Sequence, residues 1–293
     1  MTASRRRFSH GLLALALTAG SAQAQPATPQ QDAAGNRLEA LTPQAAPPGA
    51  AAADTDSSAW HCTADRGWCV RTVRDEAGAQ LELAQHVAGE RDVRLRYVPL
   101  PSDDEADSEQ PWPFIVRLGP GIGTPQRPTD AEQAQLQNVL VGAIRDWRTS
   151  YSGGGARSSE LTLVRLYHEN DGIQIDTVAT LPMAGNALIR ACFSEADVAA
   201  RADACHDEYR FAAQLGLDPA GQGMPVLRFQ TRATRFPAGV SRFGDSLEKG
   251  PLSAKDLRTE ADRACSYDRR LRWREGHYQP DTPLPDCSEF TGL

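Results

Sequence analysis

Long apolar segments are missing from most of this sequence. Beyond residue 24, no apolar run approaches the roughly 18 residues that a membrane-spanning helix requires. We therefore expect no transmembrane segment in the chain that follows. The composition is otherwise that of a folded protein, with 40% hydrophobic and 24% charged residues, which excludes a fibrous or wholly disordered chain.

Lysine is nearly absent, since Lys249 and Lys255 are the only two in the chain. The formal net charge is −7, and the one dense basic stretch runs from Arg269 to Arg274. A single basic cluster on an acidic chain provides little attraction for a polyanion. We predict no nucleic-acid partner.

Complete catalytic and metal-binding motifs are missing as well. Ser246 and Lys249 have the Ser-x-x-Lys spacing of penicillin-recognising enzymes, but the Lys-Thr-Gly element of those enzymes is absent. The glycine-rich stretch 119–123 is followed by Thr124, where a dinucleotide loop would need another glycine. Neither Cys-x-x-Cys nor His-x-x-x-His occurs. The sequence predicts no metal and no cofactor.

Residues 1–24 have the features of an export signal. Three arginines at positions 5–7 precede a short apolar core, and Ala22-Gln23-Ala24 resembles a cleavage site. The arginines are also compatible with the twin-arginine export route. The next segment, 25–58, is rich in Ala, Pro and Gln and contains no aromatic residue, so we predict a disordered linker. Residues 59–293 then form a β-rich globular domain, with a possible sub-boundary near 119–128.

Six cysteines lie in the predicted domain, and an even number in an exported chain favours three disulfides. The cysteines fall into three neighbouring pairs along the sequence, which predicts disulfide-clipped loops with the pairing Cys62–Cys69, Cys192–Cys205 and Cys265–Cys287. Together with the export signal, they predict a periplasmic or secreted protein.

Alternating apolar residues and turn signals predict mainly antiparallel β-sheet. Strands at 68–73 and 80–83 flank a turn, and strands at 161–168 and 173–180 flank Asn170-Asp171-Gly172, a sequence typical of hairpins. One segment instead suggests a good amphipathic helix. Thr129 and Glu132 have capping-box spacing, and apolar residues follow at helical intervals up to Trp147. The predicted fold class is therefore α+β.

The most distinctive parts of the sequence are the stretches 189–193, 204–211 and 280–288. With them, the region 160–293 resembles a family of uncharacterised exported, periplasmic proteins of Gram-negative bacteria. It supports export and the cysteine framework, but it implies no catalytic residue and no ligand.

The sequence favours two functions over a third, a metal or cofactor protein, which only the twin-arginine pattern suggests. The first is a non-enzymatic periplasmic protein, either a binding protein for a small ligand or an accessory to an unknown envelope partner. The alternative is a secreted hydrolase whose carboxylate and histidine groups come together from distant strands. The weak catalytic candidates are His206, Asp207 and Glu208, which place acid–base groups side by side in the sequence.

Overall fold

The computed structural model describes residues 30–52, 57–76, 78–87, 89–101, 106–123, 138–169, 172–246 and 248–292. The predicted signal peptide, residues 1–24, lies outside these ranges. Within them, no helix has the length and apolar character needed to cross a membrane. The three disulfides Cys62–Cys69, Cys192–Cys205 and Cys265–Cys287 confirm the predicted pairing.

Antiparallel strands dominate the described part of the chain, with two short helices, α1 (Glu195–Ala200) and α2 (Ser288–Thr291). The strands are β1 (Gln30–Gln31), β2 (Arg37–Ala40), β3 (Thr42–Pro43), β4 (His61–Cys62), β5 (Trp68–Asp75), β6 (Gly78–Gln85), β7 (Arg94–Pro99), β8 (Ser108–Pro111), β9 (Phe114–Arg117), β10 (Val139–Tyr151), β11 (Gly154–Glu169), β12 (Gly172–Arg190), β13 (His206–Leu217), β14 (Leu227–Phe236), β15 (Glu260–Asp262), β16 (Asp268–Arg274) and β17 (His277–Pro280).

The strands form two sheets. The smaller sheet has the order β3-β4-β5-β6-β7. The larger has the order β1-β2-β9-β10-β11-β12-β13-β14-β16-β17, with β8 beside β10 and β15 beside β14. The hairpins β5–β6 and β11–β12 confirm the two strand pairs predicted from turn signals. Strands β9 and β10 pair directly across the predicted sub-boundary near 119–128.

Strand β10 replaces the second half of the predicted amphipathic helix, so the helix prediction is wrong from Val139 onward. Its first half, 129–137, lies outside the described residues. In β10, Val139 and Val141 pack towards the small sheet, whereas Leu140 packs into the opposite cluster. A continuous apolar run buried on both faces mimics helical spacing over a few turns. The β-branched side chains and the two-sided burial favour the strand.

The larger sheet contributes both of its faces to hydrophobic cores. One face of β9, β10 and β11 packs against the small sheet, around Trp68, Leu83 and Ile115. The other face packs against β13, β14, β16 and β17 of the same sheet, around Leu161, Leu215 and Phe229. Segments 139–144 of β10 and 161–166 of β11 are therefore buried from two sides, which explains why most of their residues are apolar.

Residues 30–52 are ordered, so the prediction of a disordered linker is wrong for this part of 25–58. Strand β2 pairs with β9. The Leu38 side chain is buried in the core of the larger sheet that contains Leu161 and Phe229. Leu41 is buried in the core shared with the small sheet. The average composition of the segment concealed these two leucines, which are placed in register with core positions by the pairing with β9.

Arg117 links the two sheets through a partly buried polar contact. Its guanidinium, on β9, donates to both carboxylate oxygens of Asp65, in the turn before β5, at 2.6 and 2.8 Å. It also donates to the Thr63 hydroxyl at 3.0 Å. The hydrogen bonds from Arg117 hold the pKa of Asp65 well below its usual range, although partial burial acts in the opposite direction.

Candidate ligand-binding cavity

A cavity opens where the larger sheet divides. Strands β12 and β13 pair from Arg190–His206 to Ala184–Ala212, and among the described residues their ladder ends there. Pro182 lies just beyond this point on β12 and has no backbone N–H to donate. Strand β13 continues its pairing with β14 as far as Leu217. The space between the diverging strands has a volume of about 550 Å³.

The cavity is the open end of the core of the larger sheet, and its walls are mostly apolar. They come from β2, β9, β10, β12, β13 and the β8–β9 connection, and the apolar lining residues are Leu38, Trp112, Pro113, Phe114, Ile144, Met183, Ala184, Ala213 and Leu215. Small-molecule sites in proteins have volumes of about 300–1,000 Å³ and a similar apolar character. The size and lining suit a small ligand.

Two aromatic rings form one wall. The ring centroids of Trp112 and Phe114 lie 5.4 Å apart in a tilted arrangement. The Trp112 backbone N–H donates to the Gly142 carbonyl at 2.8 Å, which fixes this wall to β10. A Cβ atom at Gly142 would lie 2.6 Å from a methyl group of Leu161 and 2.8 Å from the Thr162 carbonyl oxygen. Glycine at 142 therefore permits the close packing behind the aromatic wall.

A charged pair lies at the polar end of the cavity. The Asp146 carboxylate accepts a hydrogen bond from Arg157 Nη2 at 3.0 Å and another from the Ser159 hydroxyl. The Ser108 hydroxyl donates to the second carboxylate oxygen at 3.4 Å. Asp146 lies on the same face of β10 as Ile144, and Arg157 and Ser159 face it from β11. The end of β10 thus changes from apolar to polar inside the cavity.

The N-terminal segment completes the cavity. Gln30, on β1, lines it, and the Gln30 side-chain oxygen accepts a hydrogen bond from the Leu217 backbone N–H at 2.8 Å. Asn36 anchors the same segment, because its side-chain amide donates to the Gly223 carbonyl at 2.9 Å and to the buried Asp32 carboxylate at 2.7 Å. Part of the predicted linker is therefore a wall of the cavity.

The three catalytic candidates do not form one group. His206 and Glu208 lie on one side of β13, whereas Asp207 points to the other side and is buried. There the Asp207 carboxylate accepts hydrogen bonds from the buried Arg201 guanidinium and from the Ser246 hydroxyl. Arg201 also donates to the Ala204 carbonyl at 2.9 Å. The contacts of Asp207 tie the loop closed by Cys192–Cys205 to the segment around Ser246.

The Ser-x-x-Lys spacing does not bring its two residues together either. The Ser246 hydroxyl binds Asp207, while the Lys249 ammonium donates to the Gly239 carbonyl. Within the described ranges, no group of three or more His, Cys, Asp or Glu side chains is arranged to hold a metal ion. Of the acidic stretch Asp103–Glu109, residues 103–105 lie outside those ranges.

Sequence reasoning missed the residues of the cavity. With β10 interpreted as a helix, Asp146 falls on a polar helical face. As a strand, the same sequence places Asp146 two residues beyond Ile144 on one face. The available signal was the single acidic residue at the end of the apolar run 139–144. Trp112, Arg157 and Met183 come from separate parts of the chain and carry no local motif.

Comparisons with known proteins give no further guide to the site. No protein-family model matches this chain, and no curated protein and no solved structure matches it. The geometry of the cavity is therefore the main guide to the function of this chain.

Proposed function

We propose that the protein is a non-enzymatic binding protein of the bacterial envelope, which holds a small, largely apolar molecule in the cavity between β12 and β13. The observation that carries this proposal is the cavity of about 550 Å³, with apolar walls and a charged pair at one end. A few well-placed polar groups in an apolar pocket are typical of small-molecule sites.

The proposed location follows from the cysteines and the N-terminal sequence. Three disulfides form and persist in an oxidising compartment such as the periplasm. The basic and apolar pattern of residues 1–24 supports export to that compartment. The hydrolase alternative has less support, because strand alternation separates Asp207 from His206 and Glu208.

The test is the binding of the neutral fluorescent probe N-phenyl-1-naphthylamine, whose emission rises in an apolar site. The wild-type protein should bind it saturably. Ala184→Phe places a ring in the cavity and should abolish saturable binding. Ala261→Phe, at an exposed position on β15, is the matched control and should bind as the wild type does.

Circular dichroism spectra of both variants should match that of the wild type, which tests whether they are folded. Absence of saturable binding by the wild type would overturn the proposal. Equal binding by wild type and a folded Ala184→Phe variant would overturn it as well, because the probe would then occupy another site.

A further inference from the structure

The polar end of the cavity carries information about the ligand, and the inference below depends on the proposed binding function. Along β10, the residues that face the core change from Leu140 and Ile144 to Asp146. Along β11, they change from Leu161 to Ser159 and Arg157. A ligand that fills this space would place an apolar body beside Ile144 and a polar group beside Arg157.

Asp146 is not the group that a ligand would meet. Its side chain is only 3% exposed. Both carboxylate oxygens already accept hydrogen bonds, one from Arg157 and Ser159 and the other from Ser108. A carboxylate that is buried and hydrogen-bonded in this way serves to hold its partners in place. Asp146 therefore positions Arg157.

Arg157 is the accessible member of the pair. Its side chain is 48% exposed, and it lines the cavity. A guanidinium has several N–H donors in one plane. Among the described residues, only the Nη2 group of Arg157 has a protein acceptor, which is Asp146. The remaining donors are available to an anion, and their fork suits the two oxygens of a carboxylate.

The neighbouring polar side chains are compatible with an anionic group. Gln110 and Gln214 line the cavity, and neither side-chain amide has a hydrogen-bond partner among the described residues. Each can donate an N–H. A cationic group would meet the exposed guanidinium of Arg157 and be repelled, since the compensating Asp146 charge is buried behind hydrogen bonds.

We infer that the ligand is an amphiphile with an aliphatic body and a carboxylate head, and that Arg157 binds the head in the cavity between β12 and β13. A medium-chain fatty acid has this chemistry. The Asp146–Arg157 pair would orient the carboxylate, and the wall of Trp112 and Phe114 would contact the chain.

The experiment compares decanoate with decanol, which share the same chain length and differ in head group, as competitors of N-phenyl-1-naphthylamine. Wild-type protein should bind decanoate about tenfold more tightly than decanol, because a hydrogen bond to a charged group contributes more than a neutral one. Arg157→Gln should weaken decanoate binding about tenfold and leave decanol unchanged. Arg157→Lys should retain part of the preference.

Arg148→Gln is the matched control. Arg148 is directly opposite Arg157 on β10, but it does not line the cavity. Its removal should not change the preference for decanoate. Equal affinities of the wild type for decanoate and decanol would overturn the inference. An equal loss of affinity for both competitors in Arg157→Gln would overturn it too. A loss of decanoate affinity in Arg148→Gln as large as that in Arg157→Gln would have the same consequence. Failure of the proposed function is distinct, since the probe itself would then not bind.

Discussion

Neighbouring residues on a strand point to opposite sides, and this alternation determines the roles of His206, Asp207 and Glu208. Asp207 and Arg201 form a buried ion pair, with each side chain only 4% exposed. His206 lies on the exposed side of β13. Asp207 therefore has a structural role. It connects the loop closed by Cys192–Cys205 to the segment around Ser246.

Replacing Asp207 by Ala should lower the free energy of unfolding by about 3–5 kcal/mol, because the Arg201 charge would stay buried without its partner. The control His206→Ala should change it by less than about 0.5 kcal/mol, since the side chain is exposed. Urea denaturation measures both variants. Equal losses would contradict the different environments of these two neighbours.

Asp65 should make stability depend on pH. Its pKa is lowered in the folded protein by Arg117, so the unfolded chain binds a proton more readily. The stabilisation is fully present above the ordinary carboxyl pKa of 3.8 and is lost as the pH falls below it towards the folded-state pKa. Wild-type protein should be more stable than Asp65→Asn at pH 7, and the difference should shrink below about pH 4.

The measurement is the free energy of unfolding of the wild type and of Asp65→Asn at a series of pH values between 7 and 2. Asp203→Asn, at an exposed position with no side-chain partner among the described residues, is the control and should show no such convergence with the wild type. A constant difference between wild type and Asp65→Asn at all pH values would contradict the proposed linkage.

At the element scale, short segments are fixed by close contact with the large sheet. Helix α2 has only four residues, too few to be stable alone. It packs against Gly185 of β12, where a Cβ atom would lie 1.9 Å from the Phe290 carbonyl oxygen. Its Phe290 ring is buried beside Tyr209, with ring centroids 6.2 Å apart. Glycine at 185 therefore permits the close approach of α2 to β12.

Gly185→Ala should lower the free energy of unfolding by about 1–3 kcal/mol, because α2 must shift to make room for the methyl group. Gly250→Ala is the matched control, since no atom lies within 4 Å of the added Cβ position. That variant should be unchanged or slightly more stable. Thermal and urea unfolding of both proteins test the contact. A neutral Gly185→Ala substitution would contradict it.

The N-terminal strand β2 is also fixed by contact with the larger sheet, where it pairs with β9. Leu38 is buried in the main core, so Leu38→Ala should cost about 2–5 kcal/mol. Arg37→Ala, at the exposed neighbouring position, should cost less than about 1 kcal/mol, because its ion pair with Glu39 is partly exposed. Denaturant unfolding measures both. A similar small effect for the two variants would favour a loosely attached segment.

For the whole molecule, the two sheets share one hydrophobic core, and the disulfides close local loops outside it. The cysteine pairs are separated by 7, 13 and 22 residues in sequence. Closing each loop lowers the entropy of the unfolded chain and stabilises the folded protein by only about 2–3 kcal/mol. The long-range organisation instead depends on the cores on both faces of β10 and β11.

Removing a disulfide should therefore lower the free energy of unfolding by an amount that rises with the logarithm of its loop length. Replacing Cys62 and Cys69 by Ala should cost about 2 kcal/mol, and replacing Cys265 and Cys287 should cost about 3 kcal/mol. The combined variant should lose the sum, because the two pairs belong to different core clusters. Denaturation of the three variants is the measurement. A combined loss far from the sum would show that the loops are coupled.

Sequence patterns predicted the features that depend on residues close together in the chain. The Cys pairing and the hairpins around 75–78 and 170–172 depend on neighbours in sequence, and all were predicted. The conformation of Val139–Trp147 was not, because the same apolar run fits one face of a helix or both faces of a buried strand. The order of residues 30–52 was also missed, since it depends on β9, far along the chain.

The sequence by itself determined the hairpins β5–β6 and β11–β12 and the three disulfides, because each arises from residues close together in the chain. Only the tertiary structure decided the state of Val139–Trp147 and the position of the cavity. The cavity lies where β12 and β13 diverge beyond the pair Ala184–Ala212, and Trp112, Asp146, Arg157 and Leu215 line it from four separate segments. Burial and pairing between distant strands, which no local pattern encodes, bring these side chains together.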